Sequence, residues 1–166
     1  AGGIGLLLLQ VARASGAARV FITDLSEHRL KTAEFFGASL ALNPAKGDPV
    51  EAIFRETEGL GADRSFEAVG LERTLNQAAA SLKKGGIGVL IGFFEDPHRV
   101  AFPVNLFVQR EIQIRGSRGY CWDFQVAMEF LRNKKVKLDP LISHRLPLES
   151  LARGFEILLD PDTRAD

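Results

Sequence analysis

Two glycine-rich places and one acid carry the chemistry this chain could perform. Residues Ala1-Gly2-Gly3-Ile4-Gly5 run straight into Leu6-Leu7-Leu8-Leu9, and Asp24 follows nineteen residues after Gly5, at the close of the apolar stretch Val20-Phe21-Ile22-Thr23. With one glycine placed before Ala1, the pattern is G-x-G-x-x-G, then a helix, a strand and a terminal acid, the dinucleotide fingerprint. A helix start offers unpaired N–H groups and the positive end of the helix dipole, which suit a pyrophosphate. Gly2 would let the backbone approach the phosphates, Gly5 would let the helix lie close to a sheet, and the amides of Gly3 and Ile4 would point at the ligand. A carboxylate at Asp24 would accept hydrogen bonds from the 2′- and 3′-hydroxyls of an adenosine ribose and repel a 2′-phosphate, favouring NAD over NADP. The bland counterparts are a glycine-rich turn that packs a helix on a sheet and a solvated turn acid that caps the next helix. Arg29, one turn into that helix, would reach the same ribose or be an ordinary surface charge. His28 and Lys31 nearby would soften the rejection of a phosphate.

Two further strand ends repeat the theme. Ala68-Val69-Gly70 and Ile91-Gly92-Phe93 would close two strands at the same edge of the sheet. In a doubly wound sheet, ligands sit over that carboxyl edge, and small residues there leave room for a flat nicotinamide and its ribose. Plain turn chemistry would use the same residues. His28, His98 and His144 are scattered without a partner at metal spacing and read as surface or structural histidines. Cys121, beside Trp122, has no base near it in sequence and reads as a partly buried structural thiol. No residue of this chain is assigned as catalytic or as a metal ligand.

The elements that must position these residues alternate between helix and strand, which argues for a parallel sheet with helices on both faces. A helix is expected over 3–15, with Leu7, Leu8, Val11 and Ala12 sharing a face. A buried strand follows at 18–24. Ser26 caps the next helix, which turns Leu30, Ala33 and Phe36 inward and stops at Gly37. A short strand at 39–42 and a helix at 49–57 complete the first half. The second half holds a strand at 64–69, a helix at 72–82, a turn at Lys83-Lys84-Gly85-Gly86 and a strand at 87–93. A short helix at 103–108, an edge strand at 111–115 reaching Gly116-Ser117, and an amphipathic helix at 124–133 follow. Val126, Ala127, Phe130 and Leu131 would face inward on that helix. Residues 141–146 would be extended, 149–159 helical, and Asp160-Pro161-Asp162 a turn. The expected fold is α/β, a Rossmann-type doubly wound parallel sheet in three layers with strand order 3-2-1-4-5-6, lacking its first strand and its last C-terminal strand.

A chain of 166 residues fits one domain with a full core. Acidic and basic residues balance at 21 each, which gives no electrostatic case for nucleic acid or an anionic membrane. The apolar run Ile4–Leu9 is too short to span a bilayer, and nothing at the start reads as a signal peptide. A single cysteine excludes an internal disulfide and suits a reducing cytosol.

The series A-G-G-I-G-L, G-A-A-R-V-F-I-T-D-L, G-A-D-R-S-F-E-A-V-G, G-G-I-G-V-L-I-G-F, E-I-Q-I-R-G-S and D-P-L-I-S-H-R-L-P-L, in that order over nearly the whole chain, resembles the medium-chain dehydrogenases. Within them it is most similar to the zinc-dependent alcohol, polyol and threonine dehydrogenase branch. The resemblance implies that Gly2, Gly3, Ile4 and Gly5 form the pyrophosphate turn and that Asp24, Leu25 and Arg29 surround the adenosine. It implies that Ala68, Val69 and Gly70 line the adenosine ribose and the bridge, that Ile91, Gly92 and Phe93 lie at the nicotinamide, and that Ser117 and Arg118 approach the carboxamide. It implies NAD as cofactor and a small alcohol or polyol as substrate. Zinc would be held by an N-terminal catalytic domain absent from these residues, so that 1–166 is the NAD-binding domain and is inactive alone. A homodimer or homotetramer, joined through the sheet edge, is implied as well. Competing readings are a zinc-free quinone reductase-like enzyme, which Asp24 disfavours, a methyltransferase, and a non-catalytic nucleotide-binding module.

Overall fold

Two helix starts in this chain are written by local capping. Ser26 accepts a hydrogen bond from the Arg29 amide at 3.4 Å and opens α2 (Glu27–Phe35). Asp48 accepts from the Val50 amide at 2.7 Å, with Pro49 at the first helical position, and opens α3 (Pro49–Glu56). Each cap satisfies an amide that the helix cannot pair internally. The computed structural model describes residues 1–94 and 99–159, so His98 and the Asp160-Pro161-Asp162 turn lie outside the described residues. In order, the elements are α1 (Gly3–Ala14), β1 (Phe21–Thr23), α2, β2 (Leu40–Leu42), α3, β3 (Ala62–Glu67), α4 (Glu72–Ala80), β4 (Leu82–Leu90), α5 (Asn105–Arg110), β5 (Gln113–Gly116), α6 (Asp123–Arg132) and α7 (Leu151–Leu159).

The chain divides into two compact units. One comprises residues 1–22, 26–41 and those described from 125 onward. In it β1 and β2 form a two-stranded sheet. Leu6, Leu9 and Ala33 are essentially fully buried, with Val20, Ile22, Phe36 and Ala38 packed around them. Burial of each such leucine stabilises by about 1.5–3 kcal/mol. The buried face of α1 is therefore Leu6, Leu9 and Gln10, not the expected Leu7, Leu8, Val11 and Ala12; Val11 is 39% exposed. A run of four leucines fits a helical stripe in more than one phase, and packing chose between them. Gln10 is buried because it acts as a backbone surrogate. Its side chain accepts from the Lys137 amide at 2.8 Å and donates to the Lys137 carbonyl at 3.2 Å.

The other unit comprises residues 23–25 and 42–124. Its sheet has the order β3-β4-β5, with both pairs parallel. The expected order with its first strand left out needs these two groupings, strands 2 and 3 in one and 4, 5 and 6 in the other. Parallel strands with intervening helices make this the Rossmann-like α/β fold. The turn expected at 83–86 is instead a bulge inside β4. Ala62 pairs with Leu82 and Arg64 with Ile87, so the intervening residues of β4 loop out while both flanks stay in register. Lys83, within the bulge, forms an ion pair with Asp63 and holds that carboxyl below the usual range. The Asp63 side chain is 74% exposed, so solvent screening leaves the pair little weight in stability.

Ala79, Leu82 and Ile112 form the core of this unit, with Phe102, Leu106, Phe107 and Ile114 packed on it. Arg110 closes α5 against that core. It donates to the Ala80 carbonyl at 2.8 Å and the Leu82 carbonyl at 3.3 Å, and its guanidinium lies 5.2 Å from the centre of the Phe54 ring.

Two sequence expectations fail on exposure. On α6, Val126 is 54% exposed and Ala127 is exposed, while Phe130 and Leu131 are only half-buried. Cys121 is exposed rather than partly buried. Amphipathic spacing identifies an apolar face but not what covers it. Among the described residues, no helix is long and apolar enough to cross a membrane.

Because Arg110 pairs carbonyls left open at the end of α4 and also stacks on an aromatic ring, Arg110→Ala should lower the unfolding free energy by about 1–3 kcal/mol. Chemical denaturation checks this, and Arg110→Lys should recover less than half, since an ammonium cannot stack and fork together.

Candidate functional site

In the first unit the site residues gather at the start of α1. Gly2 is the N-cap, extended at φ −68° and ψ −176°, and no side chain caps the helix. Its carbonyl accepts from the Leu6 amide at 2.9 Å. A Cβ added at Gly2 would meet nothing within 4 Å, so no other group packs against that face of Gly2 among the described residues. That fits a berth for an anion on a helix N-terminus. A Cβ at Gly5 would also meet nothing within 4 Å among the described residues. Ile4 is 57% exposed. Arg29 lies in the first turn of α2 and is half-buried.

In the second unit Asp24 follows β1, and its amide donates to the Leu42 carbonyl at 3.1 Å. Leu25 is 67% exposed, and its carbonyl accepts from the Asn43 side chain at 3.1 Å. The remaining site residues in this unit converge on one edge, because three parallel strands end together there. The Ile91 and Gly92 amides donate to the Glu67 carbonyl at 2.8 and 3.0 Å, and the Ser117 amide donates to the Leu90 carbonyl at 2.9 Å. Arg118 reaches back over Phe93, its guanidinium 5.2 Å from the ring centre. Thus 68–70, 91–93 and 117–118 are brought together, with the exposed Phe93 and Arg118 outermost.

Two glycines permit this convergence. Gly70 has φ +87°, and a Cβ on it would lie 2.2 Å from the Phe93 carbonyl oxygen. A Cβ on Gly92 would lie 2.3 Å from the Gly70 amide nitrogen and 2.5 Å from Glu67 Oε2. The two backbones cross in contact, and neither position has space for a side chain. Glu67 beneath them was passed over in the sequence, although a lone acid in the apolar run Phe66-Glu67-Ala68-Val69-Gly70 was a usable signal. Among the described residues, no three His, Cys, Asp or Glu side chains gather as a metal site, so zinc has no ligand set on them. The Cys121 amide donates to Asp123, and His144, in the first unit, contacts the neighbouring Ser143 hydroxyl.

Gly70→Ala and Gly92→Ala should each destabilise by about 2–4 kcal/mol through overpacking, with added backbone strain at Gly70. Thermal or chemical unfolding checks this, and a loss under about 1 kcal/mol at Gly92 would mean that the edge opens easily.

Comparison with known proteins agrees with this geometry. The family described as zinc-binding dehydrogenase matches residues 3–133. Human sorbitol dehydrogenase is 39% identical over 159 residues, which cover 94% of this chain and 44% of that protein. The chain therefore spans less than half the length of that relative. The structure of 2R,3R-butanediol dehydrogenase from Bacillus subtilis superposes with a TM-score of 0.90 at 29% identity, covering 99% of this chain and 47% of its own. A protein of Sinorhizobium meliloti 1021, solved bound to NADP, superposes with a TM-score of 0.87 at 28% identity, covering 96% of this chain and 46% of its own. The chain belongs to the zinc-binding dehydrogenase family.

Proposed function

We propose that this chain is the cofactor-binding part of an oxidoreductase that moves a hydride between an alcohol or polyol and NAD. The observation that carries the reading is the start of α1, where Gly2 is the N-cap, no side chain caps the helix and a Cβ placed on Gly2 would meet nothing within 4 Å. Family membership and the glycine crossing at the strand edge support it. The relatives named above are a sorbitol and a butanediol dehydrogenase, which supports a small hydroxylated substrate.

The bound nicotinamide would supply the hydride acceptor and donor. This chain's own residues would hold and orient it. Gly2, Gly3, Ile4 and Gly5 would seat the pyrophosphate on the amides of α1. Asp24, with Leu25 and Arg29, would receive the adenosine. Ala68, Val69 and Gly70 would line the ribose and the bridge. Ile91, Gly92 and Phe93 would face the nicotinamide, and Ser117 and Arg118 its carboxamide. Zinc, the alcohol-binding residues and the catalytic groups would belong to an N-terminal domain of the parent polypeptide. A cytosolic homodimer or homotetramer paired along β5, without nucleic acid or membrane partners, completes the reading. The NADP-bound neighbour favours a second reading in which the cofactor carries a 2′-phosphate.

Asp24 decides between the two cofactors. Its carboxylate would make charge-assisted hydrogen bonds to ribose hydroxyls, each worth about 1.5–3 kcal/mol, and would face a nearly doubly charged phosphate in NADP. Asp24→Ser in the full-length enzyme should weaken NAD by about tenfold or more and raise NADP affinity relative to NAD. Titration of wild type and variant with both cofactors checks this. A wild type that prefers NADP, or a preference that does not move, reduces Asp24 to a turn residue. The chain alone should also show no zinc-dependent alcohol oxidation, because the zinc-holding residues are proposed to lie in the N-terminal domain of the parent polypeptide and no three candidate ligands gather among the described residues. Turnover by the isolated chain with added zinc would refute the division of labour.

A further inference from the structure

Glu67 is 2% exposed, an acid at the end of β3. Such a group persists only when its oxygens are well satisfied or when the fold uses it. Its Oε1 accepts three hydrogen bonds, from the Val69 amide at 2.8 Å, the Gly70 amide at 2.9 Å and the Thr74 hydroxyl at 2.8 Å. Its backbone carbonyl accepts from Ile91 and Gly92. Its Oε2 is buried without a hydrogen-bond partner among the described residues and abuts Gly92. One residue therefore ties both strand-end segments, the first through its side chain and the second through its main chain. The direction of the tie has a consequence. The peptides joining Ala68, Val69 and Gly70 are trans, so with both amides turned inward to Oε1, the Ala68 and Val69 carbonyls face away from Glu67.

We propose that Glu67 is a positioning residue for cofactor binding: it sets the shape of 68–70 against 91–93, and thereby the seat of the ribose and nicotinamide half. Nothing in the family match or in the relatives' descriptions assigns it that part. The inference rests on the reading of this edge as a dinucleotide seat. It also requires a split between the two halves of the ligand. The hydrogen bonds of the Glu67 side chain and carbonyl run to Val69, Gly70, Thr74, Ile91 and Gly92, so an adenosine fragment should scarcely sense its loss.

The test uses the full-length enzyme as wild type, Glu67→Ala, Glu67→Gln and Thr74→Val. The measured quantities are NADH affinity by fluorescence, AMP affinity by competition, and melting temperature without ligand. Glu67→Ala should weaken NADH by about tenfold or more, while AMP changes by less than about threefold. Glu67→Gln keeps a carbonyl acceptor for the three donors and should restore NADH affinity to within about threefold of wild type. Thr74→Val removes one of the three and should weaken NADH by about threefold without moving AMP. Equal loss for NADH and AMP in Glu67→Ala, or a glutamine variant as weak as the alanine one, would overturn the inference and leave Glu67 a fold residue. If the alanine variant does not fold, an unchanged NADH-to-AMP ratio in Thr74→Val does the same. A wild type that binds no NADH would instead refute the cofactor reading itself.

Discussion

Parallel strands deliver their last peptide groups to one edge, where the ladder can no longer pair them. Buried amides left there need acceptors. In this chain the acceptors come from Glu67, whose carbonyl takes Ile91 and Gly92 while its carboxylate takes Val69, Gly70 and the Thr74 hydroxyl. Satisfying them draws the two segments so close that only glycine fits at the crossing. The position of Phe93, and with it the place where Arg118 can stack, follows from that crossing. The first turn of α1 answers the same shortage of partners in the opposite way. There no side chain caps the helix, and an anion can complete the amides.

The contrast accounts for why one sequence pattern can both build and arm a fold. A helix start left open costs little in water and becomes a binding element when a phosphate arrives. An edge sealed by a buried acid costs desolvation but holds its shape before any ligand is present. A dinucleotide needs both, charge complementarity for its bridge and a fixed floor for its planar ring.

Much of this was legible in the residues. The 3.6-residue stripes, the Ser26 and Asp48 caps and the glycines that end strands located nearly every element, because these signals act locally. The series of short motifs pointed to the right family. What stayed hidden depends on contacts between distant residues. Four consecutive leucines do not reveal which of them face the core, and Leu6 and Leu9 took that place. Lys83-Lys84-Gly85-Gly86 reads as a turn, yet pairing on both sides makes it a bulge. Val126 on α6 has the spacing of a core residue and is half exposed. Gly5 fits the fingerprint, but nothing presses on it. Glu67 reads as one more charge in a strand that already holds Asp63 and Arg64 until the amides around it are counted.

The central claim is that the edge formed by 68–70 and 91–93, shaped by Glu67, seats the nicotinamide half of the cofactor proposed above. A structure of the full-length protein with NAD bound tests it most directly. The account predicts the pyrophosphate within hydrogen-bonding distance of the Gly3 and Ile4 amides, the adenosine ribose on Asp24, and the nicotinamide beside Ile91, Gly92 and Phe93. A cofactor seated elsewhere, or one whose phosphates leave the first turn of α1 empty, would contradict it.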